Sequence, residues 1–477
     1  MGMTDTQIKE ILLEMGVSTD GINGANAPVP GAFSAHTVRE DGVYETISQA
    51  VSAVSESQAQ FSRLPVRKRA EVIEAMRRAA VDNAELLAKL AHEETGYGVV
   101  AHKIAKNRVA AEKTPGLEDF IPTAYSGDNG LTLIEHAPYG VIGSITPSTN
   151  PTATIINNSL SMIAGANGVV FNPHPGAKNA SNEAVKILNR AIRETCGVSS
   201  LLGTVVQPSA ATGKELMEHA QIRMLAITGG EAVVNLAMRS GKKVIAAGPG
   251  NPPVIVDETA DIEKAAKDIT RGASFDNNVM CIAEKEVFVV SSVESRLVEN
   301  MVAAGCYLAD EREVEIIART VIAETKHGLA ANKNFVGRSA THILKSCGIN
   351  YSGEPVLIIC RCKAEHPLVT TEMLMPVLPI VSVGSFEEAV KRAVAAENGY
   401  LHTAIMHSKN IDNLTIAARA LDTTIFVKNA PSFAGLGLEG EGHTSLTIAT
   451  PTGEGVTSAK SFVRARRCAL SGSFYIL

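Results

Sequence analysis

The chain has 477 residues, enough for two or three domains with full cores. Hydrophobic residues make up 45% and charged residues 20%, and 44 Lys and Arg against 50 Asp and Glu leave a net charge of −6, so nothing here favours a nucleic-acid partner. No run approaches 18 uninterrupted apolar residues, and no basic region followed by an apolar core opens the chain, so neither a transmembrane helix nor a secretory signal is expected.

Residues 4–15 predict a short amphipathic helix, with Ile8, Ile11, Leu12 and Met15 on one stripe. A Gly- and Pro-rich linker follows to residue 36. Such a helix is too small to fold alone; docking to a partner and packing on its own body are both open on the physics. Residues 41–113 read as helical throughout, with Val43, Ile47, Val51 and Val54 on one face and Val72, Ile73, Met76 and Ala80 on another. Residues 126–136 read as an exposed strand.

From residue 140 to 247 strands alternate with helices, which predicts a parallel sheet covered on both faces. Ligands bind such sheets at the carboxyl ends of the strands. A second α/β region begins after residues 254–256, and the tail ends in an apolar strand, residues 473–477, with no evident partner. Orphan apolar strands need partners, so a homo-oligomer through residues 131–136 and 474–477 is expected.

Seven scattered cysteines do not make a disulfide framework and point to a reducing, cytoplasmic compartment. Cys360-Arg361-Cys362 has no second Cys/His pair at zinc spacing, so no metal site is expected. Arg464, Arg466 and Arg467 read as salt-bridged or solvated rather than as a phosphate track. Gly435, Gly437 and Gly440 formally make G-x-G-x-x-G, but no helix follows; they read as a mobile pocket wall, and the neighbouring His443 as a solvated loop residue.

Cys281 differs from the other cysteines in its setting. It ends a polar loop, residues 274–280, and precedes the apolar run 286–290, so a rigid element can present the thiol at a cleft floor. Asn150, between residues that end another strand and Pro151, is a candidate amide donor. Asn277, Asn278 and the Cys281 N–H are further candidates for an oxyanion hole. Thr228-Gly229-Gly230 leaves a strand and opens a helix, which suits an anionic phosphate, although a purely structural turn has the same pattern.

Long motifs occur in order at residues 135–152, 170–177, 227–230, 277–281, 366–369, 372–376 and 448–455. On these, residues 41–477 resemble the aldehyde dehydrogenase superfamily. More narrowly, they are similar to the CoA-acylating aldehyde dehydrogenases of bacterial microcompartments, of the propionaldehyde and acetaldehyde type. The resemblance implies Cys281 as nucleophile and Asn150 as oxyanion donor. It implies NAD held by Thr146, Pro147, Ser148, His174, Pro175, Gly176, Thr228, Gly229, Gly230, Val233, Glu372 and Pro376, with Glu372 on the nicotinamide ribose. Met375-Pro376 stands where Gly-Pro is usual.

The implied architecture is an α/β fold. A Rossmann-type cofactor domain takes residues 37–122 and 137–250. An α/β catalytic domain takes 251–445, and a small β oligomerisation flap 123–136 and 446–477. A targeting helix (1–15) and a linker (16–36) precede them.

Where hydrolytic relatives carry a Glu that activates water, residues 246–250 (AAGPG) have no carboxylate. The resemblance therefore implies an acyl-enzyme that waits for the thiol of coenzyme A. The expected reaction converts a short aliphatic aldehyde to acyl-CoA, with the enzyme a dimer or tetramer. Residues 1–15 are similar to encapsulation peptides, which implies docking to shell or cargo in a microcompartment lumen. Two readings stay open beside this one: a semialdehyde dehydrogenase with phosphate as acceptor, and a catalytically idle cargo of the same fold.

Overall fold

The computed structural model describes residues 41–325 and 328–475. The helix and linker expected in residues 1–36, and the last two residues of the expected tail strand, lie outside them. Two parallel sheets and one antiparallel sheet organise the described chain.

The first sheet has six parallel strands in the order Val43–Tyr44, Leu202–Val205, Gly168–Pro173, Val141–Thr146, Ile222–Thr228 and Lys243–Ala247. Successive side chains leave opposite faces, as the pleat requires. Ile142, Val169, Phe171 and Met224 enter one core; Val141, Val170, Leu225 and Ile227 enter the other. Helix Pro151–Ala164 is buried all round, with Pro151 in the first turn, where its missing N–H leaves no bond unmade. From Val141–Thr146 the chain steps outward to one side, then crosses back to add Ile222–Thr228 on the other. The carboxyl ends of these two neighbours, at Thr146 and Thr228, therefore flank the switch point where open α/β sheets bind ligands.

The second sheet has seven parallel strands in the order Cys306–Ala309, Leu357–Arg361, Val377–Val383, Glu286–Val290, Pro253–Val256, Thr403–His407 and Ile425–Lys428. Val254, Val287 and Val289 face one core, and Ile255 and Phe288 the other.

Three expectations need correction. Residues 41–113 are not helical throughout: Val43–Tyr44 is a two-residue strand paired with Thr204 and Val205. The single strand expected at 126–136 is a hairpin, Thr123–Gly127 and Gly130–Pro138, turning at Asp128-Asn129. The tail strand lies upstream of its expected place. Val463–Ser471 pairs along the whole of Gly130–Pro138, while Phe474 and Tyr475 are exposed outside any strand. The pairing strand was hidden by its charges: Arg464, Arg466 and Arg467 sit within it.

Candidate active site

Helix Ile262–Ser274 ends in a turn, Phe275–Asn278, and Cys281 follows before strand Glu286–Val290 begins. Asp276, Asn277 and Asn278 have φ of 50°, 52° and 63°. Left-handed backbone at non-glycine residues costs on the order of 1 kcal/mol each, least for Asp and Asn. The turn is held by many partners. The Asp276 N–H donates to His102 Nδ1 (2.9 Å), and the Val99 N–H to Asp276 Oδ1 (2.7 Å). Asn277 Nδ2 donates to Gly337 O (2.9 Å), and Asn278 Nδ2 to Ala273 O (2.8 Å) and Glu284 O (3.0 Å). Both amides are thus spent on the backbone, and neither is free as an oxyanion donor. Gly98 is obligatory beside the turn: its φ is +71°, and a Cβ there would lie 2.0 Å from Asp276 Oδ1.

Cys281 is partly buried. Burial first, and the Glu372 carboxylate second, push its thiol up to about 12; Lys285 and the N–H groups of Cys281 and Ile282 pull the other way. Lys285 is buried, bonds the carbonyls of Asn278 (3.1 Å) and Met280 (3.1 Å), and is brought down to about 8 by burial.

Asn150 stands at the N-cap of Pro151–Ala164, but its side chain makes no capping bond. Its Oδ1 accepts from Lys106 Nζ at 2.6 Å instead. Lys106 also bonds Asp276, and Lys103 Nζ lies 3.1 Å from the same Asp276 oxygen. All three charged side chains are buried. Burial brings Lys106 down to about 8, against the attraction of Asp276 and, more weakly, of Cys281.

Most of the residues expected to hold the cofactor lie at strand ends of the first sheet. Thr146 Oγ1 is buried without a hydrogen-bond partner among the described residues; Pro147 and Ser148 follow it, partly exposed. Across the switch point, helix Glu231–Met238 starts after Gly230 with no side-chain cap. A Cβ on Gly230 would meet nothing within 4 Å, and Gly229 would touch only Val233. The turn His174-Pro175-Gly176 is exposed, but helix Lys178–Cys196 behind it is already served: Glu94 accepts from the N–H groups of Asn179 (2.9 Å) and Ala180 (2.8 Å). The helix start after Thr228-Gly229-Gly230 has no side-chain cap, so its N–H groups suit a phosphate. Glu372 sits near Cys281, accepts from the Gly250 N–H (3.3 Å), and is raised by burial; Pro376 is buried beyond it.

The wall beside Cys281 carries no side chain at Gly250. A Cβ there would lie 2.9 Å from His402 Cγ and 3.1 Å from Cys281 O; one at Gly248 would lie 2.9 Å from Pro451. A side chain at either position would force a neighbour to move. His402 is buried and neutral, lowered to about 4 by burial, with Nδ1 on Thr403 Oγ1 (2.9 Å). A small, mostly apolar pocket is lined by Lys106, Val109, Met280, Phe433, Leu436 and Thr444. The 435–440 segment that borders it is tied down, since Lys113 Nζ donates to Gly437 O (2.6 Å) and Gly440 O (2.9 Å).

Sequence reading missed Lys103, Lys106, Asp276, Lys285 and His402. One signal was available: Lys103, Lys106, Asn107 and Ala110 fall at helical spacing on one face of Val100–Lys113, and all four are buried.

Two parallel α/β sheets and a thiol-bearing turn facing a strand-end cleft define a class. The aldehyde dehydrogenase family pattern matches residues 33–438, and the chain belongs to that family. It is 47% identical to a propanal dehydrogenase (CoA-propanoylating) of Salmonella typhimurium, over 91% of this chain and 93% of that one. A propionaldehyde dehydrogenase from the fucose-utilisation microcompartment of Clostridium phytofermentans superposes with a TM-score of 0.89 and 47% identity, covering 92% of this chain and 100% of that one. A Rhodopseudomonas palustris propionaldehyde dehydrogenase, solved with bound CoA and an acylated cysteine, gives a TM-score of 0.89 at 44% identity, over 92% of this chain and 100% of that one.

Proposed function

We propose that the chain is a CoA-acylating, NAD-dependent aldehyde dehydrogenase that converts a short aliphatic aldehyde, propionaldehyde or acetaldehyde, to its acyl-CoA. The observation that carries this is a strained turn presenting Cys281 beside a wall, residues 246–250, that holds no carboxylate where hydrolytic relatives carry their deacylating Glu. Cys281 Sγ attacks the aldehyde carbon. Asn150 Nδ2 and the Cys281 N–H receive the oxyanion in a partly buried site, where such donors are worth far more than in water. Thr146, Ser148 and Glu372 hold the nicotinamide end of the cofactor, and Gly229 and Gly230 its phosphates. NAD⁺, when bound, supplies the hydride acceptor for the oxidation. The acyl group stays on Cys281 as a thioester until CoA thiol takes it and restores the free cysteine.

Incubation with propionaldehyde and NAD⁺, without CoA, tests this by peptide mass spectrometry. Cys281 is expected to carry a propanoyl group, released on adding CoA. Unmodified Cys281, with propionate in solution, would contradict it. Phosphate releasing the acyl group as well as CoA does would favour the semialdehyde type. Assembly as a homo-oligomer through the three-stranded sheet, and lumenal docking through residues 1–15, belong to the same reading. Eight of the nine residues of Val463–Ser471 are exposed in the single chain, which supports the first; the stripe of Ile8, Ile11, Leu12 and Met15 supports the second.

A further inference from the structure

The buried cluster around Asp276 holds more positive charge than it needs. Lys103 Nζ, 3.1 Å from Asp276 Oδ2, already neutralises the carboxylate. Lys106 adds a second buried ammonium on the same oxygen, and burying a surplus charge is unfavourable unless its bonds repay it. Neutralising Asp276 therefore does not account for Lys106. Its remaining contact does: Nζ lies 2.6 Å from Asn150 Oδ1. An ammonium has donors and no acceptor, so the amide edge it meets must be the oxygen. That leaves Nδ2, whose one further contact is a long 3.3 Å to Thr149 Oγ1, as the edge free for a ligand. Asn is also among the best N-cap residues, yet this side chain is kept off the helix N–H groups. Through Asp276 the same ammonium grips the left-handed turn that leads to Cys281.

We infer that Lys106 is a positioning residue for the reaction: it turns the Asn150 amide so that its NH₂ faces the reacting carbon, and ties that amide to the nucleophile turn through Asp276. This rests on Asn150 being the oxyanion donor. Lys106 lies 44 residues before Asn150 and 170 before Asp276, so one side chain joins the buried helix, the turn and helix Val100–Lys113.

A double-variant cycle in the full-length enzyme tests it, using steady-state kinetics with propionaldehyde, NAD⁺ and CoA. Asn150→Ala is expected to lower kcat by about 10²–10³-fold. Lys106→Met is expected to lower kcat on the order of 10²-fold with KM for NAD⁺ unchanged, since only orientation is lost. The double variant is expected to fall no further than Asn150→Ala, within about threefold, because both changes remove one device. Lys103→Met removes a charge from the same carboxylate without touching Asn150; its losses are expected to multiply with those of Asn150→Ala. Should Lys106→Met not fold, Lys106→Gln carries the same cycle. Multiplying losses for Lys106 and Asn150 would overturn the inference, as would full kcat in a folded Lys106 variant. Full kcat in Asn150→Ala would instead remove the oxyanion reading, and the inference with it.

Discussion

Burial and the Glu372 carboxylate both raise the Cys281 thiol, and substitution separates the two causes. Because its pKa is pushed up to about 12, the thiolate fraction keeps rising with pH. The rate of iodoacetamide inactivation is expected to climb from about pH 6 to about pH 10 without levelling near the ordinary cysteine value; a plateau near 8.5 would contradict the burial. Glu372 is the second cause of the rise. Glu372→Gln should therefore alkylate faster than the parent at pH 8 while its KM for NAD⁺ rises, and slower alkylation would show that the carboxylate helps the thiolate form. Glu286 offers a separate test. Both its carboxyl oxygens are buried without a hydrogen-bond partner among the described residues, and burial raises its pKa well above the glutamate value. The native state holds this proton after the unfolded chain has lost it, so stability falls as pH rises from about 4.5 towards the raised value. Glu286→Met is expected to melt above the parent by about 1–3 kcal/mol of stability, the margin growing from pH 5 to pH 8; a lower melting point throughout would contradict this. Cys281 and Asn150 were legible in sequence because each stands in a local motif. Lys106 was not, because its meaning comes from Asp276, 170 residues away, and a lysine on a charged helix reads as solvated.

At the scale of elements, the proposed assembly rests on the strand Val463–Ser471. It closes a three-stranded sheet whose hairpin would otherwise keep an open edge, and it leaves Tyr125 and Leu470 exposed. Deleting residues 463–477 is expected to give monomers in equilibrium sedimentation and a lower melting temperature, with the parent sedimenting as a dimer or tetramer. Unchanged mass after deletion would place the interface elsewhere. The alternating strands and helices from Val141 to Ala247 could be read with boundaries a few residues out, because buried parallel strands are short apolar runs bounded by turn residues. Strand Val43–Tyr44 could not, since two residues carry no period. The hairpin was readable in principle from Asp128-Asn129-Gly130, but the apolar residues after it dominated the pattern.

At the scale of the whole molecule, the proposed function draws on both parallel sheets, the switch point of one for the cofactor and a turn leading into the other for the thiol. The order of the first sheet was not legible, because which side a crossover returns on is decided by packing between distant strands. The chemistry was nonetheless readable from what residues 246–250 lack. The central claim is that the acyl-enzyme waits for CoA because water is not activated. The most direct measurement is NADH formation from propionaldehyde and NAD⁺, with and without CoA, with product analysis. Strict dependence on CoA, with propionyl-CoA as product, is predicted. Equal turnover to propionate without CoA would mean that another group near Cys281 activates water, and would contradict the account.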